Sequence, residues 1–238
     1  MLDNDSIFGQ IMTRCGIIIA ANILFVVFSL PVITAGPALA ALYYVMLKVL
    51  RGDRELNPFK TFWQGFRMNF RQAVICWLVL IALIAVGAMD ISICMQAGGA
   101  LVWVKYATYA IAAAVIIVCS YLVPVMAAFE DTIPNLLRNA VFFIGRRPLK
   151  MIPVLFANIV PMAITFLDRR MLPLYAFMWS TFGFAAVAMF VSSVLIKDFE
   201  VYLPKAETAE EEAPEEQSDF NQKRTDKQTL EDMKKLGQ

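Results

Sequence analysis

The sequence predicts an all-α protein, a polytopic transmembrane helix bundle, on three observations. Five apolar runs are each about as long as the roughly 20 residues a helix needs to cross a hydrocarbon core of about 30 Å. Among Lys, Arg and Glu only Lys105 and Lys150 fall within those runs, each near a run's start, and the rest concentrate outside them. Hydrophobic residues make up 59% of the chain against 17% charged, with mean hydropathy +0.62, far from the usage of soluble domains.

The runs are Cys15–Thr34, Ala73–Ile93, Ala100–Met126, Leu149–Leu167 and Leu172–Ile196. A sixth stays open at Ala38–Leu50. Thirteen residues of helix reach only about 20 Å at 1.5 Å per residue, which suits an interfacial or half-inserted helix better than a span. Between the first two spans, Pro31, Gly36 and Pro37 interrupt a helical pattern and predict a helix break.

The segment after the break is amphipathic. Phe59, Phe62, Trp63, Phe66 and Phe70 recur at helical spacing and are expected on one face, with Lys60, Arg67 and Arg71 on the adjoining strip. Rings beside cations suit the headgroup level of a membrane, so Phe59, Phe62, Trp63, Phe66, Arg67, Phe70 and Arg71 are the expected membrane- or partner-docking residues. The segment from Glu130 to Lys150 repeats the plan more faintly, with Leu136, Leu137, Ala140, Val141 and Ile144 expected on one face.

Orientation follows from the excess of basic residues in cytoplasmic loops. Lys48, Arg51, Arg54, Lys60, Arg67 and Arg71 fall in the first connection, and Arg138, Arg146, Arg147 and Lys150 in the third. Arg14, Lys105, Arg169 and Arg170 face the other way. Five spans with the N-terminus outside and the C-terminus in the cytoplasm satisfy this distribution. The implied location is the cell membrane.

Charge also divides the chain into two expected regions, a transmembrane helical domain over 1–197 and an acidic cytoplasmic tail over 198–238. The first carries fifteen Lys/Arg against eight Asp/Glu, the second six against twelve. Poor in apolar residues, the tail is expected to be disordered.

Chemistry is sparse. Histidine is absent, removing the commonest general base and metal ligand. Cys15, Cys76, Cys94 and Cys119 form no CxxC pair, and no phosphate loop, zinc-protease or hydrolase motif occurs. No catalytic, cofactor or metal residues are therefore assigned, and the expectation is that the chain is not an enzyme. Asn22 and Asn158 are the two intramembrane amides, read as helix-to-helix hydrogen-bonding groups with a polar substrate contact as the alternative. The expected partner of the basic loops is the lipid bilayer rather than nucleic acid. Oligomeric state is not specified.

Two blocks carry a resemblance. The run SLPVITAGPALAALYY over 29–44 and the run FWQGFRMNFRQA over 62–73 resemble the YesL-like family of bacterial integral membrane proteins, a family catalogued as a domain of unknown function. The resemblance covers about residues 10–197. It implies an integral membrane protein, often encoded beside carbohydrate ABC transporter components, and supplies no catalytic residues. The expected function is an accessory or scaffold component linked to carbohydrate (oligosaccharide) ABC transport or utilisation, with transporter subunits as partners. The alternative is a permease or channel-like translocator of a neutral solute, using Asn22, Asn158, Ser120 and Tyr121 as its path.

Overall fold

The computed structural model describes residues 7–53, 56–97 and 102–202, and every regular element among them is helical. In order they are α1 (Ile7–Ser29), α2 (Ala35–Arg51), α3 (Pro58–Ala97), α4 (Val102–Ala128), α5 (Ile133–Arg146), α6 (Met151–Leu167), α7 (Leu172–Met178) and α8 (Phe184–Phe199). A π-helical turn, Trp179–Gly183, joins α7 to α8. The fold is a polytopic helical bundle, and six of its segments are long and apolar enough to cross a membrane. The expected tail beyond Tyr202 lies outside the described residues.

The sixth such segment, Val32–Arg51, is the one read from sequence as too short. Its helix starts at Ala35, so Gly36 and Pro37 sit inside the first turn of α2, where a missing proline donor removes no bond. Only Pro31 stands at the break itself. There the chain leaves α1 at Ser29 and passes through a 3-10 turn at Val32–Thr34. The Thr34 hydroxyl lies within hydrogen-bonding distance of the Phe28 and Pro31 carbonyls, at 2.6 and 2.8 Å. Trp77 of α3 donates its indole N–H to the Val32 carbonyl at 2.7 Å, so the break is tied to the next helix.

α2 is the core of the bundle. Of its apolar window 61% is buried, against none of the most apolar window of α3. Ala38, Ala41, Leu42, Val45 and Met46 are wholly enclosed. Gly52, at φ 87°, ends α2 in the left-handed conformation a residue with a side chain rarely adopts, its N–H reaching back to Val49. Asn57 then opens α3 by accepting the N–H groups of Phe59 and Lys60 at 3.1 and 3.3 Å, with Pro58 in the first helical position.

α3 differs most from expectation. The amphipathic segment and the second apolar run are one continuous 40-residue helix, about 60 Å long at 1.5 Å per residue. No proline or glycine separates Arg71 from Ala73, so nothing in the chain breaks it. Its two halves have different partners. α2 runs antiparallel to the first half, Gly36 meeting Trp77 and Gly65 meeting Tyr44. α4 returns along the second half, where Thr108 donates its hydroxyl to Asp90.

Prolines occur inside two further helices, Pro124 in α4 and Pro161 in α6. α8 continues beyond the expected domain boundary at 197. Asp198 is buried and accepts from Lys150 at 2.6 Å and Arg147 at 3.0 Å, closing the start of α6 onto the end of α8.

Candidate functional site: an aromatic and cationic face on α3

The five rings expected on one face of α3 do share an arc, but that arc straddles a packing seam. At about 100° per residue, Phe62 and Phe66 fall on its inner edge, and Phe59, Phe70 and Trp63 toward its outer edge. Phe62 and Phe66 are buried, at 1% and 7% exposure, and pack on Phe28 of α1 with ring centroids 5.5 and 5.1 Å apart. They are core residues, which corrects their expected role at the lipid or partner surface. Phe59, Trp63 and Phe70 remain outside, at 64%, 52% and 40% exposure.

The buried side of the same helix is set by Thr61, Gly65, Asn69 and Ala73, four positions apart and all buried. Such a small-residue stripe lets two helices approach closely. A Cβ on Gly65 would lie 2.8 Å from the Tyr44 ring, and one on Gly36 would lie 2.6 Å from Trp77 Cβ. Each glycine thus receives an aromatic residue of the facing helix. The spacing is visible in the sequence, but aromatic periodicity was the louder signal. The sequence holds other small-residue pairs at this spacing, but Gly16/Ala20 and Ala110/Ala114 are not packing seams, since Gly16 has no neighbour within 4 Å and both alanines of the second are exposed. Ala188 and Ser192 are buried.

Lys60, Arg67 and Arg71 continue the outer edge of the arc. All three are exposed, and none makes an ion pair among the described residues. Trp63 stacks on Phe66 at 5.8 Å with 16° between ring planes, and Phe66 meets Phe70 at 5.4 Å, so the buried ring anchors the two exposed ones. A shallow hollow of about 410 Å³ opens among Trp63, Phe66, Arg67, Met68, Phe70 and Arg71. It offers a flat aromatic wall beside two guanidinium groups, which is chemistry for binding an anion attached to an apolar body.

A second hollow, of about 310 Å³, lies around the helix between Met68, Asn69, Gln72 and the Glu130–Thr132 turn. Gln72 donates to the Asp131 carbonyl at 2.7 Å, tying α3 to the start of α5. The Asp131 carboxylate accepts from the Asn135 amide at 2.8 Å and the Thr132 N–H at 2.6 Å, and these bonds hold its pKa below the usual carboxylate value. Asp131 therefore steadies the turn that leads into α5, whose N-cap is Thr132. The buried stripe of α5 is Leu136, Ala140 and Phe143, whereas Leu137 and Val141, expected with it, are exposed.

No hydrogen bond joins the polar residues considered as a solute path among the described residues. Asn22 is fully buried and spent on structure: its amide donates to the Trp179 and Ser180 carbonyls at 2.9 and 2.8 Å, and its oxygen accepts from the Ala185 N–H at 2.9 Å. The π-turn displaces these backbone groups from ordinary helical pairing, and Asn22 satisfies them. Asn158 bonds within its own helix to the Val154 carbonyl, and Ser120 to that of Ile116. The Tyr121 hydroxyl is buried without a partner. None of these four lines either hollow described above.

Comparison with known proteins adds one match. Residues 18–91 match a family described as "Protein of unknown function, DUF624". That stretch takes in the end of α1, all of α2 and most of α3, and so contains the α2–α3 seam and the aromatic and cationic face. No curated protein and no solved structure matches the chain. What the findings identify is an integral membrane helical protein carrying a segment similar to that family.

Proposed function

We propose that this chain is an accessory or scaffold component of the cell membrane, docking through the outer edge of α3 onto a subunit of a carbohydrate ABC transporter. The single observation that carries the reading is the exposed strip itself. Phe59, Trp63 and Phe70 stand beside Lys60, Arg67 and Arg71, three cations without ion-pair partners among the described residues. Unpaired guanidinium groups beside exposed aromatic rings resemble the energetic centres of protein interfaces. The choice of a carbohydrate transporter rests on the YesL-like resemblance.

The proposed orientation has the N-terminus outside and the C-terminus in the cytoplasm, because the ten basic residues of the first and third connections then face inward. In this reading five segments meet lipid. α2 lies on the cytoplasmic side, alongside residues 58–77, its apolar surface covered by protein.

Co-purification in mild detergent tests the docking. The full chain should carry transporter subunits with it, and the double variant Arg67→Glu/Arg71→Glu and Trp63→Ala should each lose them. Being exposed, these positions should change stability by no more than about 0.5 kcal/mol. Recovery without any transporter subunit, in conditions that preserve transporter complexes, would overturn the proposal.

A further inference from the structure

Further along α3, beginning at Ile75 one turn beyond Arg71, a groove of about 520 Å³ runs between α3, α4 and α5. Val79 and Leu83 of α3, Val115 and Val118 of α4, and Leu137 and Val141 of α5 line it, and every other lining residue is aliphatic or cysteine. Its size falls within the roughly 300–1,000 Å³ of ordinary ligand pockets, yet it lacks the polar groups that fix a soluble ligand.

Two features specify an occupant. α3 and α4 are apolar enough to lie in hydrocarbon, so the groove is filled from the bilayer rather than from water. α5 is amphipathic, and Arg138 follows the groove residue Leu137 and precedes Val141 by three, placing it at the margin as a helical neighbour of Val141. Arg138 is exposed and makes no ion pair among the described residues. An aliphatic trough with a free guanidinium at its edge complements an acyl chain attached to a phosphate.

We infer that the α3–α4–α5 groove is a binding site for an anionic glycerophospholipid of the surrounding bilayer, its acyl chain lying along Val79, Val115 and Leu137 and its phosphate on Arg138. This site is separate from the docking strip and stands whether or not a transporter binds there. Lipid held here would splint α5 against the α3–α4 pair, where Leu137 and Val141 otherwise lack protein contacts that bury them.

Native mass spectrometry of the full chain, extracted from vesicles of equal phosphatidylglycerol and phosphatidylcholine, tests the site. Retained phosphatidylglycerol should exceed phosphatidylcholine. Arg138→Glu should cut that preference by about fivefold or more, the weight of one cation near an anionic surface. Ala114→Phe, which fills the groove from α4, should lower retention of both lipids; if it does not fold, Val141→Phe fills the groove from α5. Equal retention of the two lipids, or retention unaltered by Arg138→Glu and by the groove-filling variant that folds, would mean annular lipid only and would overturn the inference.

Discussion

Residues 58–77 and residues 78–97 form one unbroken helix and live in opposite surroundings. In the first half, Thr61, Phe62, Gly65, Phe66, Asn69 and Ala73 are buried, Gly65 admits Tyr44 of α2, and Trp77 fits against Gly36 of α2. In the second half, Leu83, Ile84, Val86, Met89, Ile93 and Met95 stand exposed. A helix of about 60 Å is twice the thickness of a hydrocarbon core, so both halves cannot occupy one bilayer while the helix stands across it. The half whose one charged residue is Asp90 is the one suited to lipid. The half bearing Lys60, Arg67 and Arg71 belongs to protein and to the interface. Hydropathy measures how apolar a segment is, and does not say whether protein or lipid will cover it.

The largest expected effect breaks the packed half selectively. Gly36→Val forces a side chain into Trp77 and the Ala73 carbonyl, and Gly65→Val into Tyr44. Each should destabilise the detergent-purified protein by about 3 kcal/mol, the upper end of ordinary overpacking, read as a loss of thermal midpoint by fluorescence-detected gel filtration. Gly87→Ala in the exposed half meets nothing closer than Thr108 at 3.8 Å. It should be neutral or stabilise by a few tenths of a kcal/mol, since alanine is the better helix former. Equal damage at Gly87 would erase the distinction between the halves.

Asn22→Leu comes next, and sharpens the claim that polar groups of the packed region hold structure. It removes the Asn22 bonds to the Trp179 and Ser180 carbonyls and the Ala185 N–H. A cost of about 1–3 kcal/mol is expected, measured by the same thermal assay. An unchanged midpoint, accompanied by altered solute flux in proteoliposomes, would return Asn22 to the role of substrate contact.

The smallest effect lies near the junction of the halves, where Gln72 holds the Asp131 turn. Because the folded carboxyl titrates below its unfolded value, its contribution is present above about pH 3.9 and is lost as pH falls through the lowered value. Asp131→Asn should therefore lower the thermal midpoint slightly at pH 7 and not at all in strong acid. A deficit that persists at the lowest pH would show that the carboxylate charge is not what holds the turn before α5.

Much of this architecture was legible in sequence because it follows from local pattern. Long apolar runs marked the helices, Pro31 marked the break, and aromatic spacing marked the amphipathic segment. What stayed hidden depends on partners distant along the chain. Asn22 bonds residues 157 to 163 positions away, and no local pattern announces that. Phe62 and Phe66 share an arc with Trp63, but only the position of Phe28 decides which edge turns inward. α2 looked too short to span because length was judged against the bilayer, whereas its apolar surface is covered by neighbouring helices. The continuity of α3 was readable from the absence of a breaker between Arg71 and Ala73.

Site-directed labelling tests the assignment of the two halves most directly. On a background with the four native cysteines replaced, a cysteine at Phe59 should react with a membrane-impermeant maleimide only when the cytoplasmic face is open. A cysteine at Ile84 should react with no impermeant reagent from either side. Labelling of position 59 in intact, right-side-out cells, or water-accessible labelling of position 84, would contradict the account.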